Sequence, residues 1–72
     1  MKRYIISIRR ERIADAPAEW TEPMRHIQGL RIRGSAGGRR VQVDATDTAI
    51  AEVRRLLSDL CHIEPVVVHR FV

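Results

Sequence analysis

Two kinds of residue pattern predict an α+β fold for this sequence. Several stretches alternate apolar and polar residues, which is typical of half-buried strands, and one stretch repeats apolar residues every three or four positions, which is typical of a helix. These patterns follow one another along the chain in the order β-α-β-β-α-β. This is the order of a ferredoxin-like sandwich, in which two helices cover one face of a four-stranded antiparallel sheet.

The first strand is predicted over residues 3–10, which are rich in β-branched side chains. Successive side chains of a strand point to opposite faces, so this strand has two distinct sides. One side carries Tyr4, Ile6 and Ile8, and the other carries Ile5, Ser7 and Arg9. We expect the first side to face the helices.

Residues 11–29 are expected to form a short or broken helix, because a proline interrupts them. Pro23 fits the first turn of a helix that is capped by Thr21 and ends near Gln28. Residues 17–20 would then form a separate turn before that helix.

A β-hairpin is predicted over residues 30–44, with a glycine-rich turn at 34–38. Its apolar face carries Leu30, Ile32, Val41 and Val43, and its polar face carries Arg31, Arg33, Arg40 and Gln42. The turn is not expected to bind phosphate, because it lacks a lysine and no helix follows it.

The clearest helix is expected to begin at a cap formed by Thr46 or Asp47. Its apolar stripe consists of Ile50, Val53, Leu56, Leu57 and Leu60. A last strand is predicted over residues 63–68, where Pro65 suits an edge strand, and residues 69–72 form a C-terminal tail.

The length of 72 residues indicates a single domain, residues 1–72, in which a deep active-site cleft is hard to build. The formal net charge is +4, and twelve of the thirteen basic residues are arginine, which binds carboxylates and phosphates. The apolar run at residues 4–8 is too short for a signal peptide or a membrane span. We therefore expect a cytoplasmic protein that does not bind membranes.

Residue patterns for catalysis or metal binding are sparse. Cys61 is the single cysteine, and no pair of histidines or cysteines has the spacing of a metal site. A cysteine that closes an amphipathic helix is more typical of core packing than of nucleophilic catalysis. We therefore expect no enzyme activity, no cofactor and no metal ion.

The face of the predicted sheet away from the helices is expected to be open and basic. Its predicted residues are Ile5, Ser7, Arg9, Arg31, Arg33, Arg40 and Gln42. RNA-recognition domains with this element order stack bases on aromatic residues of the central strands, and this face has no aromatic residue. Nucleic-acid binding would then rest on phosphate contacts alone, which makes it a third alternative.

Three short motifs together resemble a known family. The helix AIAEVRRLLSDL followed by CHIEP is similar to a VxxLxxDP helix leading into VxxVEPD, and Leu60, Ile63, Glu64 and Pro65 match VxxVEP. The strand YIISI is similar to YIVxF, and IQGL is similar to a glycine-aromatic strand opening. The chain thus resembles subtilisin propeptides and their stand-alone inhibitor relatives, although Val66 stands where that family has an acidic residue.

The resemblance implies a non-enzymatic module that binds a subtilisin-like serine protease. Its open sheet face would lie on surface helices of the protease, and its tail would enter the substrate cleft as an added strand. The residues nearest the cleft would be His69, Arg70, Phe71 and Val72, and Glu64 would meet helix N-termini of the partner. The alternative for the tail is an edge strand over residues 65–72 that completes the sheet.

A second hypothesis comes from a different class of protein. The chain would be a small regulatory or assembly domain that forms oligomers, or binds another protein, through the arginine-rich face or an edge strand. Deletion of residues 69–72 would abolish protease inhibition but not self-association, whereas changes at Ile5 or Arg31 would affect self-association.

Overall fold

The computed structural model describes residues 1–36 and 38–66. The strands of the described part are β1 (Lys2–Ile8), β2 (Leu30–Ala36), β3 (Arg40–Ala45) and β4 (Cys61–Pro65). Its helices are α1 (Glu22–Arg25) and α2 (Asp47–Leu57), and a 3-10 helix covers Arg10–Asp15.

The four strands form one antiparallel sheet in the order β2-β3-β1-β4. The central strands are β1 and β3, and the edge strands are β2 and β4. Ile6 in the middle of β1 lies between Val41 of β3 and Ile63 of β4. The predicted α+β class with a four-stranded antiparallel sheet is confirmed.

The hydrophobic core lies between one face of this sheet and the segments that contain α1 and α2. The sheet contributes the buried residues Tyr4, Ile6, Val41, Val43, Ala45 and Cys61. The covering segments contribute Trp20, Met24, Ala49, Ile50 and Val53. Full burial of a large apolar side chain contributes about 1.5–3 kcal/mol, so the covered face is fixed by its side chains.

Helix α2 begins where its cap was predicted. The Oγ1 atom of Thr46 accepts a hydrogen bond from the backbone N–H of Ala49 at 3.1 Å, which satisfies one free donor of the first turn. The predicted stripe is wrong at Leu56, whose side chain is 46% exposed. Ala49 takes the additional buried position, close to Gly29 at the entry to β2.

The segment between β1 and β2 contains less α-helix than expected. Pro23 lies in the first turn of α1 as predicted, but α1 ends at Arg25, before Gln28, and the side chain of Thr21 makes no capping hydrogen bond. The 3-10 helix was not predicted. A separate turn does occupy residues 17–20, where the backbone N–H of Trp20 donates to the carbonyl of Pro17.

Trp20 connects this irregular segment to the hairpin. Its ring is buried, and its Nε1–H donates a hydrogen bond of 2.8 Å to the carbonyl oxygen of Gly38. A buried indole contributes a large apolar area and requires a partner for its N–H group, and Gly38 supplies that partner. The segment is therefore held to the sheet by the buried side chains of Trp20 and Met24 rather than by a long helix.

The hairpin strands extend further than the sequence suggested. Residues 34–36, which were expected in the turn, belong to β2, and the register shifts between Ile32 and Gly34. This irregularity places an additional residue, Arg33, on β2. Strand β4 begins at Cys61, two residues earlier than predicted, and residues 67–68 of the predicted strand lie outside the described residues.

Gly29 provides a test of how the chain enters β2. Its φ is +87°, and a Cβ atom at this position would lie 2.8 Å from Oγ1 of Thr46, the cap of α2. We predict that Gly29→Ala lowers the free energy of unfolding by about 1–3 kcal/mol, since it combines backbone strain with a steric clash. Urea denaturation followed by circular dichroism measures this change.

Gly34→Ala is the matched control for Gly29→Ala. A Cβ atom at Gly34 would have no heavy atom within 4 Å, and its φ is not positive. We expect its stability to stay within about 0.5 kcal/mol of that of the original chain. Equal stability of both variants would contradict the role assigned to Gly29.

Candidate functional site

The candidate site is the face of the sheet that the helices do not cover, which we call the open face. By strand alternation and register, its residues are Arg3, Ile5, Ser7, Arg31, Arg33, Gly34, Arg40, Gln42, Asp44, His62 and Glu64. None of them belongs to the buried core, and no described segment lies over them. Since nothing in the described part of the chain covers the open face, a binding partner can reach it.

The middle of the open face is a row of four residues, one from each strand. Gly34, Gln42, Ile5 and Glu64 follow one another from β2 to β4. Ile5 is the large apolar residue of this row, and it is partly exposed. A small apolar centre with polar and charged surroundings resembles the usual arrangement of a protein-binding surface.

Asp44 holds two arginines on the open face. Its Oδ2 accepts a hydrogen bond of 2.8 Å from Nη1 of Arg33, and its Oδ1 lies 3.4 Å from Nε of Arg3. The irregular register of β2 provides Arg33 for this contact. The Arg33 guanidinium, with a smaller contribution from Arg3, lowers the pKa of the Asp44 carboxyl below its usual value.

The remaining charges of the open face are distributed unevenly. Arg31 and Arg40 are exposed and form no ion pair with any described residue. Glu64 lies on β4, where its Oε1 is 3.1 Å from Nε2 of His62. The β2–β3 side of the face is therefore positive, and the β4 side carries a carboxylate.

Arg9 was expected on the open face with the other arginines, but it lies elsewhere. Strand β1 ends at Ile8, and Nε of Arg9 donates a hydrogen bond of 3.0 Å to the backbone carbonyl of Ser58, just after α2. A cation at the C-terminal end of a helix is favourable, since the last carbonyl groups carry partial negative charge. Arg9 thus belongs to the end of α2 in the described structure.

The tail residues predicted to contact a protease are His69, Arg70, Phe71 and Val72. They lie outside the described residues. The described chain ends at Val66, whose backbone N–H donates to the carbonyl of Arg3 at 2.9 Å. The backbone therefore reaches residue 66 while still hydrogen-bonded to β1.

The edge strand β4 is blunted by Pro65. The hydrogen bonds from Arg9 to Leu60 and from Val66 to Arg3 show which residues of β4 point toward β1, and Pro65 belongs to the opposite set, which points outward. Proline lacks an N–H group, so this part of the edge has no donor for another strand. Pairing along this edge is therefore limited to residues 61–63.

The buried position of Cys61 makes its thiol poorly reactive. It is buried at the start of β4, and burial raises its pKa to about 11. His62 follows it but points to the open face, where it contacts Glu64. Among residues 1–36 and 38–66, no group of three or more His, Cys, Asp or Glu side chains is placed to hold a metal ion.

Sequence patterns did not place five residues on the open face: Arg3, Gly34, Asp44, His62 and Glu64. Gly34 was expected in the turn, and Glu64 was expected to contact a partner but was assigned to no face of the sheet. Asp44 and Arg3 were not assigned to a face, although alternation from Gln42 and from Ile5 places them on the same side. Their pairing required knowledge of which strands are neighbours.

A shallow groove between α1 and α2, lined by Pro23 and the exposed Leu56, was also not anticipated.

No protein-family model, curated protein or solved structure matches the chain. In the described part of the chain, no helix has the length and apolar character needed to cross a membrane.

Asp44 makes the open face sensitive to acid. Because its folded-state pKa is lowered, its ionised form stabilises the fold above about pH 4, and this contribution is lost as the pH falls below that value. We predict that the Asp44→Asn variant loses less stability than the original chain between about pH 5 and pH 2. Urea denaturation at low salt across this range measures the difference.

Asp59→Asn is the control, because Asp59 is exposed and has no ion pair among the described residues. It should retain the acid-dependent loss of the original chain. An unchanged acid dependence in the Asp44→Asn variant would show that Asp44 does not pair with the two arginines in solution.

Proposed function

We propose that this chain is a non-enzymatic protein-binding module of the propeptide-like inhibitor type, whose partner is a subtilisin-like serine protease. The observation that carries the proposal is a sheet face that no described segment covers, combined with a chain that continues from an edge strand of that sheet. Such a module would bind through two surfaces, the open face and the residues after Val66.

We also propose that the fold is ferredoxin-like. The order β4-β1-β3-β2, read from the other edge, supports this assignment. The connection from β1 to β2 passes over β3, and the connection from β3 to β4 passes over β1, so the two β-α-β units interleave. The single turn of α1 makes the first of these units unusually poor in helix.

The chemistry of the open face supports protein binding. Arginine binds carboxylates through two parallel hydrogen bonds, and Arg31 and Arg40 are exposed for such contacts. Two carboxylates, Asp44 beside the arginines and Glu64 on the β4 side, would favour a partner surface with both signs of charge. Mixed charges of this kind contribute mainly to specificity and to the rate of association.

Inhibition would need no reaction by this chain. An extended tail that docks as an added strand forms backbone hydrogen bonds with the protease, and its alternate side chains enter the substrate subsites. The folded domain reduces the entropy lost on binding, because the tail starts from a position that is already fixed beside β1. The residues assigned to this role are those from His69 to Val72.

The proposal is tested by adding the purified chain to subtilisin and measuring peptide hydrolysis. We expect loss of activity at nearly stoichiometric amounts of the chain, and we expect the variant without residues 69–72 to inhibit at least tenfold less. That variant should keep the circular dichroism spectrum of the full chain, since the described sheet, α2 and core are built from residues 2–65.

Binding should also be measured with a protease whose catalytic serine is replaced, which separates inhibition from digestion of the chain. Arg10→Glu is the control and should inhibit as well as the original chain, because Arg10 is exposed in the 3-10 helix and lies away from the open face. No inhibition and no binding at large excess, or inhibition that survives deletion of the tail, would contradict the proposal.

A further inference from the structure

The charges of the open face are arranged so that the face complements itself. Arg31 and Arg40 occupy the β2–β3 side without an ion pair in the described structure, and Glu64 occupies the β4 side. The row next to the middle one contains Arg31, Asp44 and Arg3. In this row Asp44 of β3 and Arg3 of β1 lie directly beside each other. Opposite charges are therefore found on both sides of the midline between β3 and β1.

We propose that the open face binds the open face of a second copy of this chain, about a twofold axis that runs along this midline. Such an axis places β4 of one copy over β2 of the other, so that each face meets the same face of its partner. The proposal does not rest on the protease-inhibitor function, since it uses only the charges and the register of the open face. The second copy would occupy this face when no other partner does.

Three contacts support this axis. Glu64 of one copy lies over Gly34 of the other, between the positions of Arg31 and Arg40. Asp44 of each copy lies over Arg3 of the other. Ile5 of each copy lies over Gln42 and beside the second Ile5, which closes the small apolar centre.

Gly34 makes space for the incoming carboxylate. A Cβ atom at this position would meet no heavy atom within 4 Å, so the surface is open where Glu64 of the second copy arrives. A twofold axis perpendicular to the strands would instead bring β4 over β4 and Glu64 over Glu64. Like charges in direct opposition are unfavourable, which disfavours that arrangement.

The edges of the sheet offer a poorer route to self-association. Pro65 removes a donor from the outer edge of β4, and the register shift at Arg33 interrupts the regular geometry of β2. Bulges and edge prolines are common means by which proteins prevent strand pairing between molecules. The open face is thus the surface of the sheet that remains for a second copy.

The size of the open face predicts a weak dimer. Four strands about 4.8 Å apart and about five residues long cover roughly 300 Å² per copy, whereas a stable complex needs roughly 800 Å² per partner. Charge complementarity, rather than buried area, should therefore decide whether the copies associate. The dimer should be detectable at about 1 mM protein and low salt, and it should compete with any other partner of this face.

Charge exchange provides the test. We expect Glu64→Arg, and separately the double variant Arg31→Glu and Arg40→Glu, to weaken self-association by about tenfold or more, because each places like charges together in both symmetric contacts. An equimolar mixture of the two variants should recover association, since both contacts then join opposite charges. Sedimentation velocity and NMR diffusion at matched concentrations measure these values.

The control is the double variant Arg10→Glu and Arg54→Glu, which changes the net charge equally at exposed residues outside the open face. It should self-associate at least as well as the original chain, because its net charge falls from +4 to zero. Three outcomes would overturn the proposal. The original chain could be monomeric at 1 mM, the charge-reversed variants could associate as well as the original chain, or the mixture could fail to recover association. These outcomes require no protease and so are independent of the inhibition assay.

Discussion

The packing of α2 against one face of the sheet is the interaction on which the rest of the structure depends. Ile50 and Val53 of α2 join Ile6 and Val43 of the sheet in a single core, and the segment around Trp20 completes it. A chain of 72 residues can build only one small core, and eleven of the described side chains are buried in it. The opposite face of the sheet is consequently left with charged residues around Ile5.

This constraint relates the fold to binding. A face without a covering layer must be stable in water, and here Asp44 pairs with Arg3 and Arg33, which balances part of the positive charge. Arg31, Arg40 and Glu64 are not part of this cluster and lie on opposite sides of the face. The same three residues are therefore available to a protease surface or to a second copy, and the two partners would exclude each other.

Local patterns predicted those parts of the fold that depend on local interactions. The alternation around Ile6 and the cap at Thr46 were correct, because each is decided within a few residues. The predictions for Leu56 and for the turn at Gly34 were wrong, because the end of α2 and the bulge in β2 depend on contacts between distant segments. The arginines of the hairpin could be assigned from the sequence, whereas their pairing with Asp44 required the strand order.

Solvent access to the two neighbouring isoleucines of β1 tests the central claim most directly. NMR spectra of methyl-labelled chain, recorded with a soluble paramagnetic agent at protein concentrations low enough to keep the chain monomeric, measure this access. The account predicts strong broadening of the Ile5 methyl signals and little broadening of those of Ile6, which is fully buried. Equal protection of both residues would show that the open face is covered in the monomer and would contradict the account.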